Sequence, residues 1–260
     1  DETRVSFTIE NVHLWHGRKD PYLYCMEVEL VSGDEVIDNV CTRFGCRTFE
    51  IDPNKGFILN GEPFGKLVGA NRHQDFAYVG NAVPNSQQWR DAKRLRNAGF
   101  TIIRVAHYPM DPSFMDACDE LGLFVIVATP GWQYWNKDPK FAEKVQQNTR
   151  NIIRRDRNHP SVLMWEPILN ETRFPLNFSL EALQITKDEY PYPYRPVAAA
   201  DVHSAGVADN YDVVYGWPGD DFKEDKPKQC IFTREFGELV DDWYAHNNLN
   251  RASRSWGEKP

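Results

Sequence analysis

The chain has 260 residues, with 30 Lys and Arg against 38 Asp and Glu, for a net charge of −8. Hydrophobic residues at 41% and charged residues at 26% are globular values, which excludes disorder, collagen and coiled coil as the main class. The acidic balance lacks the footprint of a nucleic-acid binder, and no apolar run reaches the roughly 18 residues of a membrane helix. The opening Asp1-Glu2-Thr3-Arg4 shows no signal-peptide pattern, which leaves location open because a leader can be removed. The five cysteines, Cys25, Cys41, Cys46, Cys118 and Cys230, are odd in number and scattered. They read as buried small hydrophobes rather than a disulfide framework.

The first 45 residues read as β structure. In Leu23–Val31, Tyr24, Met26, Val28 and Leu30 alternate with Cys25, Glu27 and Glu29, a two-residue period with one face expected buried and one wet. Ser32-Gly33-Asp34 turns the chain and 35–42 returns as a second strand. Two or three strands make no stable sandwich alone, so this stretch is expected to be the end of a β-sandwich whose beginning lies outside the chain. Phe57-Ile58-Leu59 then leads into Asn60-Gly61, the pair suited to a tight hairpin turn.

From there strands and helices alternate. Apolar runs fall at 66–70, 101–106, 123–129, 161–165, 196–200, 213–216 and 230–233. Helices are expected from Ser86 to about Asn97, from the cap Asp111 through Leu121 to Gly122, and over 140–157, where Phe141, Val145, Thr149, Ile152 and Ile153 share a stripe. This rhythm means parallel β/α units. Seven strands can be counted, whereas an eight-stranded barrel typically takes about 250 residues, so the eighth is expected to be lacking. The alternative, an open doubly wound sheet, would carry a Gly-rich loop after its first strand. Val68-Gly69-Ala70-Asn71-Arg72-His73 is no such loop.

Polar residues gather where the apolar runs stop: Asn71 to Asp75, Arg104 and His107, Glu166 to Glu171, and Thr233 to Glu238. In a β/α barrel these carboxyl ends build the site. Glu171 and Glu235, on different strands, could face each other across a ligand. Retaining glycoside hydrolysis needs such a pair, one protonated carboxyl and one carboxylate; solvated or salt-bridged loop carboxylates are the plain alternative.

On these residues the chain resembles glycoside hydrolase family 2, which contains β-galactosidases, β-glucuronidases and β-mannosidases. Arg155-Asp156-Arg157-Asn158-His159-Pro160-Ser161-Val162-Leu163-Met164-Trp165 followed by Asn170-Glu171 is similar to the family's acid/base signature. Phe57 to Pro63, Asn71 to Asp75, Arg104 to Pro109 and Asp119 to Gly122 resemble further blocks in the same order, and Thr42 to Gly45 the exit from its immunoglobulin-like domain. The resemblance implies a (β/α)8 TIM barrel lacking its last strand over 46–260, and strands of a β-sandwich over 1–45.

It also implies roles. Glu171 is the expected acid/base and Glu235 the nucleophile, with Asn170 on the sugar 2-hydroxyl and Arg104 beside Glu235 to keep it ionised. His107, His73 and Asp75 would contact sugar hydroxyls, and Tyr215 and Trp217 would line the subsite. Trp132, Tyr134 and Trp135 would form either an aromatic platform or ordinary loop anchors. Ala128-Thr129-Pro130 stands where many members carry acidic residues, so no metal and no cofactor are expected. Glu166 stands where the family usually has Ser, and a pairing with a basic neighbour such as Arg72 is expected. The uronate-binding Asn-x-Lys element and the mannosidase Gly-Asn-Asn-Glu form are absent, so by elimination a β-galactosidase-like activity leads, expected to be weak or absent in a fragment that lacks the eighth strand. The alternatives are an endo-acting galactan hydrolase and a non-hydrolytic carbohydrate-binding fragment. A carbohydrate is the expected partner; nucleic acid and a membrane span are not, and a homo-oligomer is left open. The expected location is the periplasm or exterior of a bacterium, with the cytoplasm as the alternative.

Overall fold

The computed structural model describes residues 3–131, 133–169, 172–190, 197–201, 204–216 and 229–235. Two strands, β1 (Tyr24–Ser32) and β2 (Glu35–Phe44), form an antiparallel ribbon. The alternation does make a strand, but the expected buried face is not found. Met26, Val28 and Leu30 are 38%, 55% and 59% exposed. Among the described residues β1 and β2 pair with each other alone, and a lone ribbon has no opposing layer to cover its apolar side. The cysteines also depart from expectation. Cys25 and Cys41 form a disulfide across the ribbon, with Cα atoms 6.1 Å apart. The register explains it: Cys41 sits opposite Glu27, diagonal to Cys25 on the same face, within side-chain reach.

Three short antiparallel strands follow, β3 (Phe49–Asp52), β4 (Gly56–Leu59) and β5 (Glu62–Pro63). Asn60 and Gly61 both take positive φ, 53° and 82°, as a two-residue hairpin requires.

The remainder is β/α. Seven parallel strands stand side by side in chain order: β6 (Gly69–Arg72), β7 (Ile102–Val105), β8 (Phe124–Ala128), β9 (Val162–Glu166), β10 (Val197–Asp201), β11 (Val213–Tyr215) and β12 (Cys230–Phe232). The intervening helices are α1 (Asn85–Asn97), α2 (Pro112–Leu121), α3 (Pro139–Asp156), α4 (Leu176–Glu189) and α5 (Val207–Asn210). Asp111 accepts from Ser113 N ahead of Pro112, and Asp138 from Lys140 N ahead of Pro139, side-chain caps followed by the proline that suits a first turn. α1 instead starts behind Pro84 without a side-chain cap, so Ser86 is not its cap. No helix among the described residues is long and apolar enough to cross a membrane.

Strands β7 to β11 are buried along their whole length, which is why they read as continuous apolar runs. Their residues still alternate between two cores. Ile103, Val105, Val125 and Val127 join Phe114, Met115 and Ile153 under the helices. Ile102, Phe124, Ile126, Val197, Ala199, Val213 and Tyr215 fill the concave side. Its amino-terminal end is closed by Trp15, Phe57 and Leu59. Trp15 is fully buried, donates its indole N–H to the Asp119 carbonyl at 2.9 Å and meets Phe124 edge-on.

Candidate active site

The two-residue period that places Ile102 and Ile126 on the concave side carries on to the strand ends. Arg104 follows Ile102 in phase, Asp201 follows Ala199, and Tyr215 follows Val213. Asn71 is in register with Arg104 on the neighbouring strand, and Asp201 with Tyr215. These residues, with Glu166 at the end of β9 and Arg234 and Glu235 just after β12, converge at the carboxyl ends of the strands.

Arg104 is the hub. Its Nε and Nη2 donate to the two oxygens of Glu166, both at 2.9 Å. Its Nη1 donates to Asn71 Oδ1 at 3.3 Å and to Glu235 Oε1 at 3.2 Å. Side-chain exposure is 2% for Arg104 and 0% for Glu166, so this is a buried ion pair. Burial opposes the charge on Arg104, but Glu166, Tyr215 and Glu235 together outweigh it and hold the guanidinium above its ordinary value. Arg104 thus lies beside Glu235 as expected, yet its fork is given to Glu166. The expected partner of Glu166 is corrected: Arg72 points the other way, toward Gln88 at 2.8 Å and Asp91 at 2.9 Å, with its guanidinium over the Phe114 ring. Adjacent strand residues face opposite sides of a sheet, so Asn71 enters the site and Arg72 leaves it.

His107 Nε2 lies 3.6 Å from the same Glu235 oxygen that Arg104 meets. The imidazole of His107 pulls the Glu235 carboxyl below its ordinary value; burial resists, and the charges of Arg104 and Arg234 add to the lowering. Glu235 is therefore held as a carboxylate, the form a nucleophile needs. His73 faces solvent at the start of the loop after β6, its ring 5.3 Å from that of His107. Partial burial, His107 and Arg104 all disfavour its protonated form. Asp75 is exposed two residues further on.

Tyr215 is almost wholly buried, with the Arg104 and Arg234 guanidinium carbons each 5.6 Å from its ring centre. Burial and the nearby Glu166 charge push its phenol well above the ordinary range. Two participants had no role in the sequence reading. Arg234 Nη1 donates to Asp201 Oδ2 at 2.5 Å, and the Arg234 carbonyl accepts from Asn71 Nδ2 at 3.0 Å. The available signal for Asp201 was a single carboxylate closing the run Val197–Ala200. Of the aromatic loop, Trp135 is an anchor packed on Phe141, Phe174 and Phe178, while Tyr134 is 56% exposed. Glu171, Asn170, Trp217 and Trp132 lie outside the described residues.

A cavity of about 730 Å³ opens between β6 and β12, lined by Asn71, Arg104, Ile126, Arg234 and Glu235 among others. Elsewhere, Asp116, Asp119 and His159 offer potential metal-ligand atoms within 4.8 Å of one another. Those groups already serve each other and their neighbours: Asp119 accepts from Ser161 N and meets His159 Nδ1 at 2.6 Å, and Asp116 pairs with Arg43 at 2.9 Å. They sit at the amino end of β9, opposite the cavity.

Residues 50–220 match the family model for glycosyl hydrolases family 2, TIM barrel domain, and residues 1–47 a second model of glycosyl hydrolases family 2. A beta-galactosidase from Thermoanaerobacter pseudethanolicus is 40% identical over 178 residues, 68% of this chain and 24% of that protein. A beta-glucuronidase from Bacteroides fragilis is 33% identical over 76% of this chain and 29% of its own length. The crystal structure of a beta-glycosidase from Bacteroides vulgatus superposes with a TM-score of 0.77 at 25% identity, covering 89% of this chain and 31% of that one. The chain thus spans about a quarter of the length of the curated relatives it matches.

Proposed function

The chain belongs to glycosyl hydrolases family 2, and on that footing we propose that it carries the catalytic centre of a retaining glycosidase acting on terminal β-galactosides. Glu235 attacks the anomeric carbon while Glu171 gives its proton to the departing glycosidic oxygen. The carbon–oxygen bond breaks and a glycosyl ester forms on Glu235. Glu171 then takes a proton from water, the water attacks the same carbon, and the ester bond breaks. Two inversions give net retention. Asn170 holds the 2-hydroxyl, His107, His73 and Asp75 meet other hydroxyls, and Arg104, Tyr215 and Trp217 form the wall.

The observation that carries this reading is Glu235 itself. It stands at a barrel mouth and is kept ionised by His107 and Arg104. A neutral sugar is favoured over a uronate because the two arginines of this wall are already matched, Arg104 by Glu166 and Arg234 by Asp201. The Cys25–Cys41 disulfide supports a periplasmic or secreted location, since such bonds persist in oxidising compartments.

The test is hydrolysis of nitrophenyl β-galactoside, β-glucuronide, β-mannoside and β-glucoside, with Glu171→Gln and Glu235→Gln as controls. The expected result is galactoside turnover reduced by at least about a thousandfold in each variant, the scale of losing an essential catalytic group. Preference for the glucuronide would overturn the choice of sugar. Turnover surviving Glu235→Gln would overturn the mechanism.

A further inference from the structure

Among the described residues, Glu166 is the most deeply buried carboxylate of the site, and the mechanism above gives it nothing to do. A guanidinium presents its N–H groups as a planar fork that can grip a carboxylate by two parallel bonds. Glu166 takes such a grip on the Nε and Nη2 of Arg104. Among the described residues, the remaining Nη1 reaches Asn71 and Glu235. The contact on Glu235 is therefore single. It falls on Oε1, and His107 approaches that same oxygen. Neither ties Oε2.

We infer that Glu166 is a positioning residue that holds Arg104 by both carboxylate oxygens, limits it to one oxygen of Glu235, and so leaves the other oxygen to react. The inference rests on the reading of Glu235 as the nucleophile. Its physical basis is competition for a buried cation. A desolvated guanidinium needs a full countercharge. With Glu166 neutralised, Glu235 is the carboxylate already in contact, and the guanidinium turns onto it. Glu235 then becomes a stronger acid and a poorer nucleophile, with both oxygens engaged.

Among the described residues, the charged and titratable groups around Glu235 are Arg104 on β7, His107 after it, His73 after β6, Arg234 beside it, Glu166 on β9, Asp201 on β10 behind Arg234, and Tyr215 on β11. Of these, Glu166 can be neutralised with little change of shape.

The experiment follows the Glu235 side-chain carboxyl by carbon-13 NMR titration, identified by its loss in Glu235→Gln. In Glu166→Gln, Glu235 is expected to titrate about one pH unit lower, the scale of removing one nearby charge, and kcat to fall at least about tenfold with the acid limb of kcat/KM moving the same way. Loss of the Glu166 charge alone lowers that titration without touching kcat, so a lowered titration with kcat unchanged, or a titration that does not move, overturns the inference. If Glu166→Gln does not fold, Glu166→Asp carries the test. Its charge stays but its carboxyl is one methylene short of the grip, so the titration falls by a smaller step and kcat drops; wild-type values there overturn the inference. Trapping the glycosyl ester with a 2-fluoro sugar, located by mass spectrometry, tests the underlying reading separately. A label elsewhere, or none, removes Glu235 as nucleophile whatever the titration does. A label on Glu235 with an unmoved titration removes the role of Glu166 alone.

Discussion

One step along β6 separates Asn71, which touches Arg104, from Arg72, which is held under α1. The same phase rule brings Arg104, Asp201 and Tyr215 to the concave side, and it makes the ionisation of Glu235 a shared property of several strands. Its carboxyl is held below the ordinary value of 4.5, first by His107. A depressed carboxylate adds stability above its unfolded pKa and loses it as pH falls through the folded one. Activity that needs the ionised form falls over the same acid window. His107→Asn removes the largest lowering influence, so the acid limb of kcat/KM should move up toward the ordinary value; a limb that stays put would mean that Arg104 alone sets it. At this scale the sequence pointed to several residues that the structure brings together. Glu235, Arg104, His107 and His73 are polar residues at the ends of apolar runs, and the structure brings them together. The partner of Glu166 could not be read, because both arginines near it in the sequence pattern are basic and strand phase decides between them. Asp201 and Arg234 were obscured for a related reason: each looks like an ordinary loop charge until the partner 33 residues away is placed.

Elements depend on what covers them. Strands β7 to β11 could be read because burial on both faces makes each a short apolar run, and the structure differs from the expected runs by a few residues at their ends. The ribbon of β1 and β2 could be read as strands but not as exposed ones, since the alternation of Met26, Val28 and Leu30 records only that one face is apolar. α4 lacks a capping side chain and was not picked out as a separate helix. The join between α2 and β9 carries a prediction of its own. His159 meets Asp119 at 2.6 Å, and Asp119 also receives the Ser161 amide. Burial works against the His159 charge, but Asp119 prevails and raises the histidine above its ordinary 6.5. A raised histidine gives its full stabilisation below the unfolded pKa and loses it as pH rises through the folded one. His159→Gln should therefore cost about 2 kcal/mol, the worth of a charged hydrogen bond, in urea unfolding at pH 5.5. The gap from wild type should narrow as pH rises past the raised value. A gap independent of pH would show that packing, not charge, makes this join.

The barrel as a whole has a chemical end and a closed end, and they answer to different residues. The mouth holds Arg104, Glu166, Tyr215 and Glu235, buried charges and a phenol that an apolar core would not choose. The amino end holds Trp15, Phe57, Leu59 and Phe124, a plug whose indole N–H donates to the Asp119 carbonyl. In this architecture sites gather at the carboxyl ends of the strands, and the other face serves stability. Trp15 is the residue on which that division can be measured, because it is fully buried at the amino end. Trp15→Phe keeps an aromatic ring against Phe124 but leaves the carbonyl of Asp119 without its donor and a gap where the larger ring stood. The cost of such an unpaired buried acceptor is about 1–3 kcal/mol, and the missing volume adds to it. The urea midpoint should fall accordingly while the titration of Glu235 stays where it is, since the plug contributes no charge to the mouth. If the Glu235 titration moves together with stability in Trp15→Phe, the two ends are mechanically coupled through β8, where Phe124 meets Trp15 and Ile126, two residues on, lines the cavity.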